Sequence, residues 1–167
     1  MASRPTSETS SRSSTSSPIG PDEKRAHSAV HVLKGAVTKV LGPRQFTSAE
    51  VTGRTGTLRA RSDSQPTTQE VSKIEVAANA KIAEDAEVLE FKMDRQEAEG
   101  HFGMRIYDLS HAPDLGVLLN IVRIPDWEAS CCSMAHVDST GPIGAIRIDG
   151  ATFDDQVKSF ELRFHLL

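Results

Sequence analysis

Two short motifs contain the residue types that hold a transition metal. His27 and His31 are four residues apart in a stretch whose apolar residues recur at helical spacing, so both imidazoles should project from one face of a helix. Cys132 and His136 repeat this spacing about a hundred residues later. Three imidazoles and one thiolate suit zinc, a borderline-soft ion. Each motif alone also occurs by chance, but together they contain most of the plausible ligands in the chain.

The remaining histidines and cysteine have no partner at ligand spacing. We expect His101, His111 and His165 to be surface or rim residues, and Cys131 to be a small buried residue. The two cysteines are adjacent and cannot form a disulfide framework. This predicts a reducing compartment, and we expect a cytoplasmic protein.

Charge is unevenly distributed along the chain. Residues 24–61 contain eight Lys and Arg against a single Glu, whereas residues 62–167 contain nine against nineteen Asp and Glu. This asymmetry is typical of a protein with a basic face for a polyanion. The alternative is that the charges mix across the folded surface, and charge alone does not decide between the two.

Within the basic stretch, three side chains are candidates for contacts with nucleic-acid phosphates: Lys34, Lys39 and Arg44. Each could equally lie on a solvated helix face. Trp127 could stack on a base, although a single Trp is more often a core anchor.

The first twenty residues differ in composition from the rest. Eleven of them are Ser or Thr, and a large apolar residue is almost absent, so residues 1–20 are predicted to be a disordered tail. This tail lacks the apolar centre of a signal peptide, and no apolar run in the chain is long enough to cross a membrane. We therefore expect one folded domain, residues 21–167, with no membrane partner.

Hydrophobic periodicity predicts an α+β fold, with two main helices packed on a mostly antiparallel sheet. The helices are expected at about 21–41 and 67–83, with a short third one at 94–102. A loop is predicted from Pro125 to about Gly144. The predicted strands cover residues 46–51, 55–61, 88–91, 117–124, 145–148 and 158–166.

Two longer segments resemble a known family. HSAVHVLKGAVTKVLG (27–42) and CSMAHVDSTGPIGAIRI (132–148) are similar to the editing domain of alanyl-tRNA synthetase, which carries an HxxxH helix, a later CxxxH and a T-G-x-I-G run. The resemblance extends to the freestanding AlaX proteins, and the short AlaX form matches the layout from about residue 24 to 167.

The resemblance implies a zinc-dependent aminoacyl-tRNA deacylase that acts on mischarged tRNA(Ala), most of all Ser-tRNA(Ala). It implies Zn²⁺ held by His27, His31, Cys132 and His136, and a threonine that reads the hydroxyl of serine. Thr47 is the best match for that threonine, with Ser48 as the alternative. The alanyl group of correctly charged tRNA has no hydroxyl and would leave the threonine without a hydrogen-bond partner. A second site of this kind therefore adds discrimination between serine and alanine.

The T-G-x-I-G run has two interpretations. Thr140, Gly141 and Gly144 could shape a loop that faces the substrate, or they could form a tight turn before a strand. The implied partner is the acceptor end of mischarged tRNA, with room for a transient association with alanyl-tRNA synthetase. No catalytic residue can be assigned from the sequence. The alternative function is a non-catalytic, zinc-stabilised tRNA- or RNA-binding module.

Overall fold

The computed structural model describes residues 19–109 and 118–167. The predicted disordered tail lies almost entirely outside these residues, and so does His111. Within the described part, none of the helices is long and apolar enough to cross a membrane.

In the described residues, three α-helices form where the sequence supplies their end signals. The first, α1 (Pro21–Leu41), has Pro at its start and two acidic residues in its first turn, and it ends at Gly42, whose φ is 83°. The second, α2 (Thr68–Ala83), begins with a capping box in which Thr67 and Glu70 satisfy each other's backbone amides. The third is α3 (Arg95–Phe102), which is capped by the side chain of Asp94.

Over residues 19–109 and 118–167, seven strands form two antiparallel sheets. The larger sheet has the order β1-β2-β7-β6 and the smaller has the order β3-β4-β5. The α+β prediction is confirmed, although the strands divide into two sheets instead of one. The strands are β1 (Phe46–Thr52), β2 (Thr55–Arg61), β3 (Leu89–Asp94), β4 (Leu118–Ile124), β5 (Glu128–Cys131), β6 (Ile146–Asp154) and β7 (Ser159–Leu166).

Strand β5 lies inside the segment that was predicted to be a loop. A tight turn at Asp126, whose φ is 57°, reverses the chain after β4, and Ile124 then pairs with Glu128. The segment is polar and short, so its strand character comes from pairing with β4 and is not visible as hydrophobic alternation. The prediction of an uninterrupted loop was wrong at this point.

Helix α1 is the centre of the molecule. Residues 28–37 of this helix are all buried, because α1 packs against α2, against β1 and β2 of the larger sheet, and against β5 of the smaller one. Leu33, Leu58, Ile74 and Phe160 are among the side chains of the shared core. A helix that touches both sheets brings the histidines of its first half close to the chain that follows β5.

Candidate metal centre and its pocket

The structure brings the four predicted metal ligands into one cluster. One ligand atom from each of His27, His31, Cys132 and His136 lies within 4.8 Å of the others. Nε2 of His27 is 3.1 Å from Sγ of Cys132, and Nε2 of His31 is 3.1 Å from Nε2 of His136. His31 and His136 are buried, and the other two are half-buried.

These separations fit a tetrahedral zinc ion. With Zn–N and Zn–S bonds of about 2.0–2.3 Å, neighbouring ligand atoms should be about 3.3–3.8 Å apart. The two close pairs are slightly shorter than this, so small side-chain movements would complete the tetrahedron. Zinc is therefore compatible with both the donor atoms and their arrangement.

Two carboxylates fix the orientation of the buried imidazoles. Nδ1 of His31 lies 3.0 Å from Oε2 of Glu128, and Nδ1 of His136 lies 2.8 Å from Oε1 of Glu90. An ionised carboxylate only accepts hydrogen bonds, so when Glu128 and Glu90 are ionised each imidazole donates from Nδ1 and leaves an unprotonated Nε2 facing the centre. Two such lone pairs at 3.1 Å repel each other unless a cation or proton lies between them. This pairing is the strongest structural argument for a metal.

Burial keeps the imidazoles neutral, which is the state that binds metal. Burial lowers the pKa of His27 to about 3, and the neighbouring His31 and His136 lower it further. The pKa of His31 is also lowered by burial, as is that of His136, for which Glu90 offsets part of the effect.

Burial raises the pKa values of two acidic groups at the centre, whereas it lowers those of the histidines. Burial raises the pKa of the Cys132 thiol, so this residue needs a metal ion to become a thiolate at neutral pH. Burial also raises the pKa of Glu128 to about 7, although Lys34 and Ser130 favour its ionised form.

Three of the four cluster residues lie in the wall of a pocket of about 700 Å³, a volume typical of small-molecule sites. Its wall includes His27, His31 and Cys132, apolar side chains from β1 and β4, and the uncharged polar side chains of Asn120 and Ser133. Nδ2 of Asn120 donates to Oγ of Ser133 at 3.2 Å. A ligand in this pocket would therefore touch the metal ligands directly.

Lys34 does not lie on an outer face, where a contact with a nucleic-acid phosphate was predicted. Its side chain is 4% exposed, and its Nζ donates to Oδ1 of Asp108 at 2.8 Å. Nζ is also 3.5 Å from Oγ of Ser130, which in turn bonds to Glu128. The lysine faces inwards because α1 is buried on both sides, so its charged group lies in the pocket wall.

The T-G-x-I-G run forms a structural turn and does not line the pocket. Thr140 is fully buried; its Oγ1 accepts from the Ala86 amide and donates to the Lys81 carbonyl, both at 2.8 Å. The Gly141 amide donates to Asp85, and Gly144 has a φ of 85°. The polar groups of Thr140 and Gly141 are used within the fold, which is the arrangement of the tight-turn interpretation; a contact of these residues with substrate stays a prediction.

Thr47 also lies away from the pocket wall. It is the extra residue of an irregularity in the β1–β2 pairing, between Phe46 and Ser48, and the wall is formed on β1 by Ala49 and Val51. Ser48, the alternative, pairs with Arg59 instead. A bulge shifts the side-chain alternation of a strand, and this shift could not be seen in the sequence.

The other predicted nucleic-acid contacts lie towards the C-terminal end of α1. Lys39 is exposed, about 12 Å along the helix from His31, and Arg44 is half-buried beside Pro43. Trp127 is a structural anchor: its Nε1 donates to the Val32 carbonyl at 2.9 Å.

Sequence reasoning missed Glu90, Glu128 and Asp108, which come from three different segments and meet only in the fold. For Lys34 a signal was present. It follows His27 and His31 at positions i+7 and i+3, so all three residues lie on one helical face.

Comparison with known proteins finds alanine–tRNA ligases among the relatives of this chain. The chain is 38% identical to an alanine–tRNA ligase of Hyperthermus butylicus over 140 residues, which is 83% of this chain and 15% of the relative. It is 34% identical to the Thermofilum pendens enzyme and 33% identical to the Pyrococcus abyssi enzyme, over 75% and 74% of this chain and 14% of each relative. No protein-family model matches. Most of this chain is thus similar to a part, about one seventh, of alanine–tRNA ligases.

Proposed function

We propose that this chain is a zinc-dependent aminoacyl-tRNA deacylase that hydrolyses mischarged tRNA(Ala), with Ser-tRNA(Ala) as its main substrate. The observation that carries the proposal is the cluster of His27, His31, Cys132 and His136, of which all but His136 line the pocket. The similarity to a part of alanine–tRNA ligases supports a role connected with tRNA(Ala).

The pocket offers what an aminoacyl ester requires. When bound, zinc would supply a Lewis acid for the ester carbonyl. Glu128 and Glu90 hold two of the imidazole ligands in position, and the apolar wall excludes water from around the aminoacyl group. Asn120 and Ser133 are the uncharged polar side chains in the described wall that can meet a substrate hydroxyl.

Contact with the tRNA body is proposed for Lys39 and Arg44, which lie beyond the pocket along α1. The acceptor end would enter the pocket while its phosphates follow the helix towards these cations. Action in trans, a cytoplasmic location and a transient association with alanyl-tRNA synthetase are part of the same proposal.

One observation favours a second function, that of a zinc-stabilised RNA-binding module without turnover. Four protein ligands saturate a tetrahedral zinc ion, which is typical of structural sites, whereas catalytic sites keep one position open. In such a module, loss of a ligand would reduce folding and RNA binding together.

Deacylation of defined substrates separates the two functions. The zinc-loaded chain, without any synthetase, is incubated with Ser-tRNA(Ala) and, in parallel, with Ala-tRNA(Ala). Release of serine with alanine largely retained supports the deacylase. Release of neither amino acid by a folded, zinc-loaded protein that still binds tRNA would establish the module instead.

Two histidine variants show whether the cluster is responsible. His27→Ala removes the half-buried histidine ligand and should abolish turnover while the protein stays folded. His101→Ala is the matched control, because His101 is an exposed histidine of α3 outside the cluster, and its turnover should match that of the wild type. Equal loss in both variants, or in neither, would contradict the role of the cluster.

A further inference from the structure

The pocket wall contains charged side chains that the metal centre does not use as ligands. Asp108 and Glu23 each contribute a carboxylate, and Lys34 contributes an ammonium. The Asp108–Lys34 pair is well shielded, since the exposed fractions of the two side chains are 18% and 4%. Burying an ion pair beside a binding pocket is costly in free energy and is weak evidence for a stabilising role, whereas a role in ligand binding would account for it.

The chemistry of the proposed substrate identifies a need for one of these carboxylates. An aminoacyl ester has a positively charged α-ammonium group next to its carbonyl carbon. If the carbonyl is directed to a divalent cation, the ammonium lies only a few ångströms from that cation and is repelled by it. Lys34 repels it as well. A nearby carboxylate with reduced solvent screening would compensate for this repulsion.

Asp108 fits this requirement better than Glu23 does. It lies in the pocket wall together with His27, His31 and Cys132. Lys34 holds one of its oxygens at 2.8 Å, which fixes the carboxylate in the wall. Glu23 lies in the first turn of α1 and accepts a hydrogen bond from the Gly53 amide of the β1–β2 hairpin.

We propose that Asp108 binds the α-ammonium of the aminoacyl group, and that Lys34 is the positioning residue that holds Asp108 in place. The inference rests on the proposed function and deepens it: the pocket selects esters of free α-amino acids. Esters whose α-nitrogen is blocked or replaced are disfavoured, because they leave the Asp108 carboxylate without a partner.

Binding of two non-hydrolysable analogues tests this directly. The first is 3′-deoxyadenosine with an L-seryl group attached through a 3′-amide. The second is nearly isosteric, with a hydroxyl in place of the α-ammonium. Calorimetry gives the Kd of each for the zinc-loaded protein. We expect the wild type to bind the ammonium analogue about 10- to 100-fold more tightly, the range for one hydrogen bond between charged groups.

The variants assign this preference to one carboxylate. In Asp108→Asn the preference should fall below about threefold, whereas the matched control Glu23→Gln, which removes the same charge from the same wall, should keep it. Asp108→Asn leaves Lys34 buried without a counter-charge and could unfold. The double variant Lys34→Met with Asp108→Asn removes both charges, and it too should lose the preference.

Each outcome bears on a distinct claim. A preference that survives in both Asp108 variants, or that disappears only in Glu23→Gln, overturns the role of Asp108. Equal binding of the two analogues by the wild type also overturns it, while serine release in the deacylation assay would leave the proposed function standing. If neither analogue binds to the zinc-loaded wild type, the proposed function fails as well.

Discussion

The most informative single change is Glu128→Gln, because it alters the charge behind a metal ligand without altering shape. Oε2 of Glu128 lies 3.0 Å from Nδ1 of His31, and its side chain is 9% exposed. A glutamine keeps an oxygen that accepts the hydrogen bond from His31. Its new amide nitrogen can donate a hydrogen bond to Oγ of Ser130. What disappears is the negative charge that makes the imidazole a stronger metal ligand.

The expected loss follows from this geometry. Removing an outer carboxylate of a metal-bound imidazole weakens metal binding by about 10- to 100-fold, or about 1.4–2.7 kcal/mol. Glu90→Gln makes the same change behind His136, but the Glu90 side chain is 52% exposed. Water screens that charge, so the loss there should be no more than roughly threefold. The metal-free Glu128→Gln protein should be at least as stable as the wild type, since a buried carboxylate is removed.

Competition with a chromophoric zinc chelator gives the zinc Kd of all three proteins, and thermal unfolding in excess chelator gives the stability of their metal-free forms. Zinc affinity should be highest in the wild type, slightly lower in Glu90→Gln and lowest in Glu128→Gln. If Glu128→Gln binds zinc as well as Glu90→Gln does, then burial of the carboxylate does not set the metal affinity. The assignment of the Nδ1 proton of His31 to that contact would then be refuted.

Four further predictions concern packing, hydrogen bonds and protons. A Cβ on Gly35 would lie 2.1 Å from the Trp127 ring, so Gly35→Ala should lower the unfolding free energy by about 1–3 kcal/mol. Gly100 has open space around it, so the control variant Gly100→Ala should be neutral or slightly stabilising. Thermal melts of the two variants check both expectations. Thr140→Val should lower the free energy of unfolding by about 1–3 kcal/mol, measured by chemical denaturation, and leave the zinc Kd unchanged. A changed zinc Kd with normal stability would instead indicate that Thr140 acts at the metal site. Zinc binding at pH 7 should release about one to two protons, one of them from the thiol of Cys132, and calorimetry in buffers of different ionisation enthalpy measures this number. The pKa of His27 is lowered to about 3, so in the unfolded chain this residue binds a proton between about pH 6.5 and 3 that it does not bind in the folded protein. His27 should therefore contribute a loss of up to about 1.4 kcal/mol of stability per pH unit to the metal-free protein as the pH falls through that window.

Sequence reasoning succeeded where the signal was local. The ends of α1 and α2 follow from proline, capping residues and apolar spacing within one segment. The spacing of His27 and His31 is a property of a single helix, so their convergence on one ion needed no tertiary information. The alternation of Phe160, Leu162 and Phe164 likewise placed one face of β7 in the core.

Sequence patterns do not show the contacts that join distant segments. Lys34 appeared as one of several cations in a basic stretch, but its role depends on Asp108, which is 74 residues away. Thr140 suited a substrate loop by sequence, yet α2 and the chain that follows it use both hydrogen-bonding functions of its hydroxyl. Burial on all sides of α1 is a result of two sheets meeting on one helix, and only the fold reveals it.

The four-ligand centre and the proposed hydrolysis are compatible because the ligands are not held equally. His31 and His136 are buried, and each is fixed by a carboxylate. His27 is half-buried and lines the pocket, and within the described part of the chain its one side-chain hydrogen-bond contact is with Cys132. Release of a ligand costs least where no further group restrains it. If zinc is held by these four residues, His27 would be the ligand most able to give way to a substrate that enters from the pocket. A site that serves only structure does not require this asymmetry among its ligands.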